Sequence, residues 1–190
     1  MKVWEFKNGA LNDVAMLVYP VDAVFDAEIF DVNGKPLDWK TRPHATVFVE
    51  PRKKKAKPRA DISALRPGAL VLNTKAKTAI GGFLADFGQL LEIDIDGQTE
   101  WFYNVTHVID CIDLQSSTLR ASGTIAKEKF FADRIPIEPV IFKDPRTART
   151  RIYVNEAAKD LLQERMKSTG ISGAEFVEPG PPPSRPRPTA

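Results

Sequence analysis

One cysteine, Cys111, and two histidines, His44 and His107, are all the thiol and imidazole that 190 residues supply. A lone cysteine excludes an intramolecular disulfide framework and favours a reducing compartment. The three side chains together fall short of the four that close a Cys/His zinc site. No apolar run approaches the roughly 20 residues that cross a bilayer. The start, Met1 to Phe6, alternates like a strand and has no apolar stretch of the signal-peptide kind. G-x-S-x-G, the P-loop, the dinucleotide glycine pattern and H-E-x-x-H are missing too. These absences lead us to expect a soluble, cytoplasmic protein, outside the membrane, with no metal, no cofactor and no catalytic residues of a familiar class.

What is there is an ordinary globular balance, 43% hydrophobic and 27% charged, with enough chain for a hydrophobic core. The net charge of +2 conceals two opposite regions. Residues 52–59 hold six bases (Arg52, Lys53, Lys54, Lys55, Lys57 and Arg59) and no acid, and the tail from Pro179 adds Arg185 and Arg187. The remainder has 19 bases against 25 acids, a net of −6. The expected body is therefore acidic, with a basic loop and a basic tail attached.

The pattern reads as an α+β chain, strand-rich, mainly antiparallel, with two helices. Residues 1–50 form a strand-rich N-terminal region, with strands at 14–19, 21–30 and 46–49 and a turn at Asn33-Gly34. Residues 51–59 read as a basic loop or linker. Residues 60–178 read as an α+β region, and the proline-rich residues 179–190 as a disordered tail. Asn73 or Thr74 caps a helix over about 74–87, with Ala76, Ile80, Phe83, Leu84 and Phe87 at helical spacing and Gly88 as its stop. Asn155 caps a second over about 155–166, with Ala158, Leu161, Leu162 and Met166 as its buried stripe and Gly170 beyond it. Further strands are expected at 108–113, 124–131, 140–142, 152–154 and 174–177.

Residues 91–105 form the clearest local signal, a β-hairpin. A two-residue turn at Asp96-Gly97 would set Ile93 against Glu100. A three-residue turn sets Ile93 against Trp101 and Asp94 against Glu100, which keeps the apolar residues on one face. That register is the expected one. It gathers Glu92, Asp94, Asp96 and Glu100 into an acidic patch, the candidate partner-binding residues. The chain from His107 to Cys111 is too extended to form a Cys/His nucleophile, so Cys111 is read as a packed hydrophobe.

From Asp61 onward a series of short motifs runs in order. Asp61-Ile62-Ser63 follows the basic stretch, and Leu70 to Asn73 leads into a helix. Tyr103 to Thr106 ends the hairpin, and Ile109 to Asp113 comes before Ser116 and Ser117. Then come Pro139 to Lys143, Ile152 to Val154, a helix, and Gly170 to Phe176. This order, over residues 60–177, resembles a bacterial family of immunity proteins from polymorphic toxin systems, immunity family eleven. The resemblance implies a protein encoded beside a toxin that protects its producer by binding that toxin. It carries over no catalytic residue. An acidic body suits a basic toxin through charge complementarity. The alternative is a nucleic-acid-associated protein using residues 52–59, which lack the interleaved aromatics that stack bases. A hydrolase built on Asp94/Glu100 or on Cys111 is the third reading.

Overall fold

In the computed structural model, residues 2–9, 12–19, 29–50 and 55–180 are described. Along the chain they form β1 (Val3–Asn8), β2 (Leu17–Val18), β3 (His44–Val47), β4 (Ile62–Ser63), β5 (Leu70–Leu72), α1 (Thr74–Ala85), β6 (Gly88–Ile95) and β7 (Gln98–Val105). β8 (Thr118–Leu119), β9 (Ile125–Lys127), β10 (Ile141–Phe142), β11 (Tyr153–Asn155), α2 (Glu156–Thr169) and β12 (Ala174–Val177) follow. The fold is α+β with mainly antiparallel sheets, as expected.

A four-stranded antiparallel sheet runs β10-β11-β1-β12, so the first strand lies between two of the last. A six-stranded sheet runs β2-β3-β6-β7-β5-β4 and is antiparallel except where β3 pairs parallel with β6. Its two ends lean together, because the Leu17 N–H donates to Ala64 O at 2.9 Å. β8 and β9 make a separate small hairpin. The N-terminal region is therefore no separate lobe: β1 completes one sheet and β3 extends the other.

Both faces of the larger sheet are covered, as adjacent buried residues on β5 (Leu70, Val71 and Leu72) require. One face, with Leu70, Leu72, Tyr103 and Val105, packs against Ile80 and Leu84 of α1, Leu162 of α2, and Phe6 and Val154 of the smaller sheet. The other, with Val71, Ile93, Ile95 and Phe102, packs against Leu17, Phe30 and Val32. A third apolar cluster, with Val3, Cys111, Phe142 and Tyr153, lies on the outer face of the smaller sheet.

The two helices start alike. Asn73 Oδ1 accepts from the Ala76 N–H at 2.9 Å, and Asn155 Oδ1 accepts from the Ala158 N–H at 2.9 Å. Asn155 does more. Its Oδ1 also accepts from the Val140 N–H at 3.2 Å, and its Nδ2 donates to Pro136 O at 3.0 Å and Glu138 O at 2.7 Å. Asn155→Ala is thus expected to cost about 3 kcal/mol, against about 1–2 for Asn73→Ala, because it orphans buried groups besides the cap. Urea unfolding of the two variants checks the ranking.

Several expectations need correction. The helix expected over 74–87 ends at Ala85 with Asp86 as its C-cap, and the one expected over 155–166 runs on to Thr169, where Gly170 takes φ 62°. Gly88 is not a helix stop. It begins β6 opposite Val105, where a Cβ would lie 2.3 Å from Asn104 O. Residues 108–113 are not a strand. They make only single bridges, Val108 to Lys143 and Ile112 to Phe130. The buried Asp144 carboxylate takes the place of a neighbouring strand there, accepting the N–H groups of Cys111 and Ile112 at 2.9 and 2.8 Å. β3 begins two residues before the expected 46–49, and only Leu17–Val18 of 14–19 is paired. The strand expected over 21–30 lies outside the described residues except for Ile29 and Phe30, which form a turn. Pro179 is buried, so the chain is still packed where the tail was expected to begin; residues 181–190 lie outside the described residues.

Candidate binding surface

The β6–β7 turn decides what the hairpin displays. Asp96 (φ 49°) and Gly97 (φ 84°) form a two-residue turn with both central residues left-handed, the geometry that matches strand twist. The resulting register pairs Ile93 with Glu100, Asp94 with Thr99 and Ile95 with Gln98. This overturns the expected pairing of Ile93 with Trp101 and of Asp94 with Glu100. The four acids therefore separate. Asp94 and Glu100 face opposite sides of the sheet and do not form an acid/base couple.

Glu100 shares its face with Ile93 and is only 8% exposed. Arg59, the last base of the basic run, makes that position tolerable. Its Nη2 donates to both carboxylate oxygens, at 2.9 and 2.7 Å, and its Nε donates to Ser63 Oγ at 3.2 Å. Two features read as separate surfaces in the sequence thus meet in an internal ion pair. Lys57 is 3.5 Å from Glu50, Lys55 is exposed, and residues 52–54 lie outside the described residues.

Glu92, Asp94 and Asp96 stay together at the surface beside β3. Glu92 is exposed, with Arg42 at 3.6 Å. Asp94 Oδ1 accepts from the Gly97 N–H at 2.9 Å and from His44 Nδ1 at 2.8 Å. The Gly97 amide first, and then His44, hold this carboxyl below its ordinary range, so it remains an anion. His44 arrives there because β3 pairs with β6 in the register His44 to Asp94. Asp96 Oδ2 accepts from the Val47 N–H at 3.0 Å, tying the turn to the end of β3.

Beyond Val47 the surface becomes apolar. The Phe48 N–H donates to Met16 O at 2.8 Å, and Met16, Phe48 and Val49 are 42–44% exposed. Lys55 and Lys57 line a hollow with Met16 and Phe48. The surface thus passes from carboxylates through an apolar centre to lysines. Sequence reasoning missed Met16, Phe48 and Val49. Strand alternation was the signal for the first two: with Leu17 and Val47 directed inward, Met16 and Phe48 must face out.

The remaining candidates are structural. Cys111 is fully buried, and burial, reinforced by Asp144, pushes its thiol up to about 12, far from a thiolate at neutral pH. His107 is exposed and packs edge-on against Phe87, with ring centroids 5.8 Å apart. Arg151 joins Glu5 (3.2 Å) to the buried Glu128 (3.0 Å), and Tyr153 Oη donates to Glu128 at 3.3 Å. Burial raises the Glu5 carboxyl despite Arg151. This network fastens β1 and β11 to the chain after β9. Among the described residues, no three or more His, Cys, Asp or Glu side chains are grouped so as to hold a metal ion, and no helix is long and apolar enough to cross a membrane.

No protein-family model matches the chain, and no curated protein matches it either.

Proposed function

We propose that this chain is a cytoplasmic, non-enzymatic immunity protein that binds and neutralises a cognate bacterial toxin. The order of motifs over residues 60–177 supports the reading. The observation that carries it is the state of Asp94: ionised, held by Gly97 and His44, and flanked by Glu92 and Asp96 at the border of an exposed apolar centre. Carboxylates already fixed lose little freedom when a partner arrives, and an apolar centre with a charged rim is the anatomy of protein interfaces. A net of −6 outside the basic segments favours association with a basic partner.

The test uses the polypeptide that co-purifies one-to-one with the tagged protein from its native cells. Glu92→Lys with Asp94→Asn is expected to weaken that complex at least tenfold, mainly in the association rate. The wild-type affinity is expected to fall as salt rises from 50 to 300 mM. Toxin activity restored by the same double variant would tie binding to neutralisation. Affinity indifferent both to salt and to these substitutions would remove the surface from the reading. Glu100 is excluded from the charge-reversal set, because altering it disrupts the interior rather than the surface.

A further inference from the structure

We propose that the outer edge of β12 receives an extended segment of a partner protein as a further antiparallel strand, with a lysine or arginine opposite Glu175 and apolar residues on either side of it. Three of the four edges of the two larger sheets are occupied. β2 and β4 lean together through the Leu17 N–H and Ala64 O, at 2.9 Å. Beside β10, the Lys143 N–H donates to His107 O and the Ile109 N–H to Lys143 O, both at 2.9 Å. β12 is the fourth edge, and among the described residues its one strand partner is β1. The ladder between them shows which backbone groups are left over. The Gly9 N–H donates to Gly173 O at 3.1 Å, so Lys7 with Glu175, and Glu5 with Val177, are the pairs that exchange hydrogen bonds. The Phe6 N–H turns the other way, to Ile152 O at 2.8 Å, as that alternation requires. The N–H and C=O groups of Ala174 and Phe176 therefore point away from β1 and bond to nothing among the described residues. Ala174 to Val177 has no proline, bulge or lysine, the common devices that keep such an edge from pairing.

A row of free donors and acceptors at two-residue spacing is what an extended chain recognises. Side chains set the chemistry of the occupant. Ala174 and Phe176 share one face, where the half-buried Phe176 ring stacks on Phe6 with centroids 5.0 Å apart. Apolar residues of the incoming strand, opposite these two, cover the rest of that ring. Glu175 is on the other face with Lys7 and Glu5. Ion pairs on and behind that face join three carboxylates (Glu5, Glu128 and Glu175) to two bases, Arg151 and Lys7. Glu175 is the outermost, its side chain 44% exposed and 3.5 Å from Lys7, a pairing weak enough to share. The residue arriving opposite Glu175 falls in a pair without backbone bonds, where side chains approach most closely, and this selects a base. A second copy of β12 would bring another glutamate to the edge instead. Glu92, Asp94 and Asp96 lie on the other sheet, so the proposal goes beyond the toxin reading and holds for any partner with such a segment.

The test needs no toxin. A heptapeptide with a central lysine between two valines, and threonine and serine outside them, is titrated into the full isotope-labelled chain. Amide hydrogen exchange is then read residue by residue. In the free chain the Ala174 and Phe176 amides are expected to exchange faster than those of Glu175 and Val177. Saturating peptide, at about millimolar concentration, is expected to slow these two at least tenfold and to leave the amides of β6 unchanged. Methylating the nitrogens of both valines is expected to abolish the protection, and glutamate in place of the lysine to weaken binding at least threefold. Ala174→Pro removes an outward N–H without touching the β1 ladder and is expected to weaken binding at least tenfold. Where that variant fails to fold, the methylated peptide makes the same distinction on the native chain. Absent protection, protection elsewhere, or equal binding of the methylated or the glutamate peptide would each overturn the proposal. Protection that rises with protein concentration alone would give the edge to a second copy and overturn it too. The immunity reading is tested by substitutions on the other sheet, so either can fail without the other.

Discussion

Arg59→Ala is expected to destabilise the protein by about 3–5 kcal/mol, more than any surface substitution, because it strands a buried carboxylate. Glu100 has its two oxygens on Arg59 Nη2 and lies opposite Ile93, whose neighbours are the apolar side chains around Phe102. The pair itself need not be strongly stabilising, since removing two ions from water offsets most of their attraction. The double variant Arg59→Met, Glu100→Leu is accordingly expected to regain stability to within about 1 kcal/mol of the parent. Urea unfolding of both singles and the double closes the thermodynamic cycle. A loss below about 1 kcal/mol for Arg59→Ala would show that Glu100 finds water or another donor instead.

Stability is expected to rise between pH 7 and pH 9, and Lys143→Met to remove most of that rise. Lys143 is fully buried, its Nζ donates to Val32 O at 2.6 Å, and no ion pair forms on it among the described residues. Burial first, and then the charge of Arg66, bring its ammonium down to about 7, with Asp31 acting in the opposite sense. From pH 7 upward the unfolded lysine retains a proton that the folded one has released. Unfolding then takes up protons, and stability grows with pH by at most about 1.4 kcal/mol per unit. Below pH 7 both forms are protonated and the effect is flat. Above pH 9 the buried Cys111, and higher still Tyr103 and Tyr153, oppose it, since their pKa values are raised and folding suppresses their ionisation. Chemical unfolding at half-unit steps of pH reads the slope. An equal slope in Lys143→Met would assign the rise to other groups.

The helices were legible because their signals are local: an asparagine, three residues to the amide it caps, and an apolar stripe at helical spacing. The hairpin was legible as a hairpin, yet its register was not. Local apolar pairing favoured Ile93 against Trp101, while the residue that settles the matter, Arg59, lies 41 positions from Glu100. Residues 108–113 failed in the same way. Their β-branched residues read as a strand, but the amides of Cys111 and Ile112 are taken by the Asp144 side chain, 33 positions beyond Cys111. Composition revealed the acids of the candidate surface. Which of them remain outside depends on turn geometry and a distant cation. The apolar centre was partly hidden because three exposed residues gain meaning only from their adjacency across β2 and β3.

The position of β1 carries a consequence for how the chain comes to be folded. Its partners are β11 and β12, and Asn8 Nδ2 reaches Gly173 O across 165 residues of sequence. During synthesis the first strand has neither of these strand partners until nearly the whole of that stretch has left the ribosome. The β6–β7 hairpin with α1 is assembled from contiguous chain and can form much earlier. Late closure of so long a loop slows folding and leaves the apolar face of β1 uncovered meanwhile. Chaperone demand in the nascent state should thus concentrate on the first ten residues, and a circular permutant in which β12 runs directly into β1, its antiparallel neighbour, should fold faster without changing the final contacts.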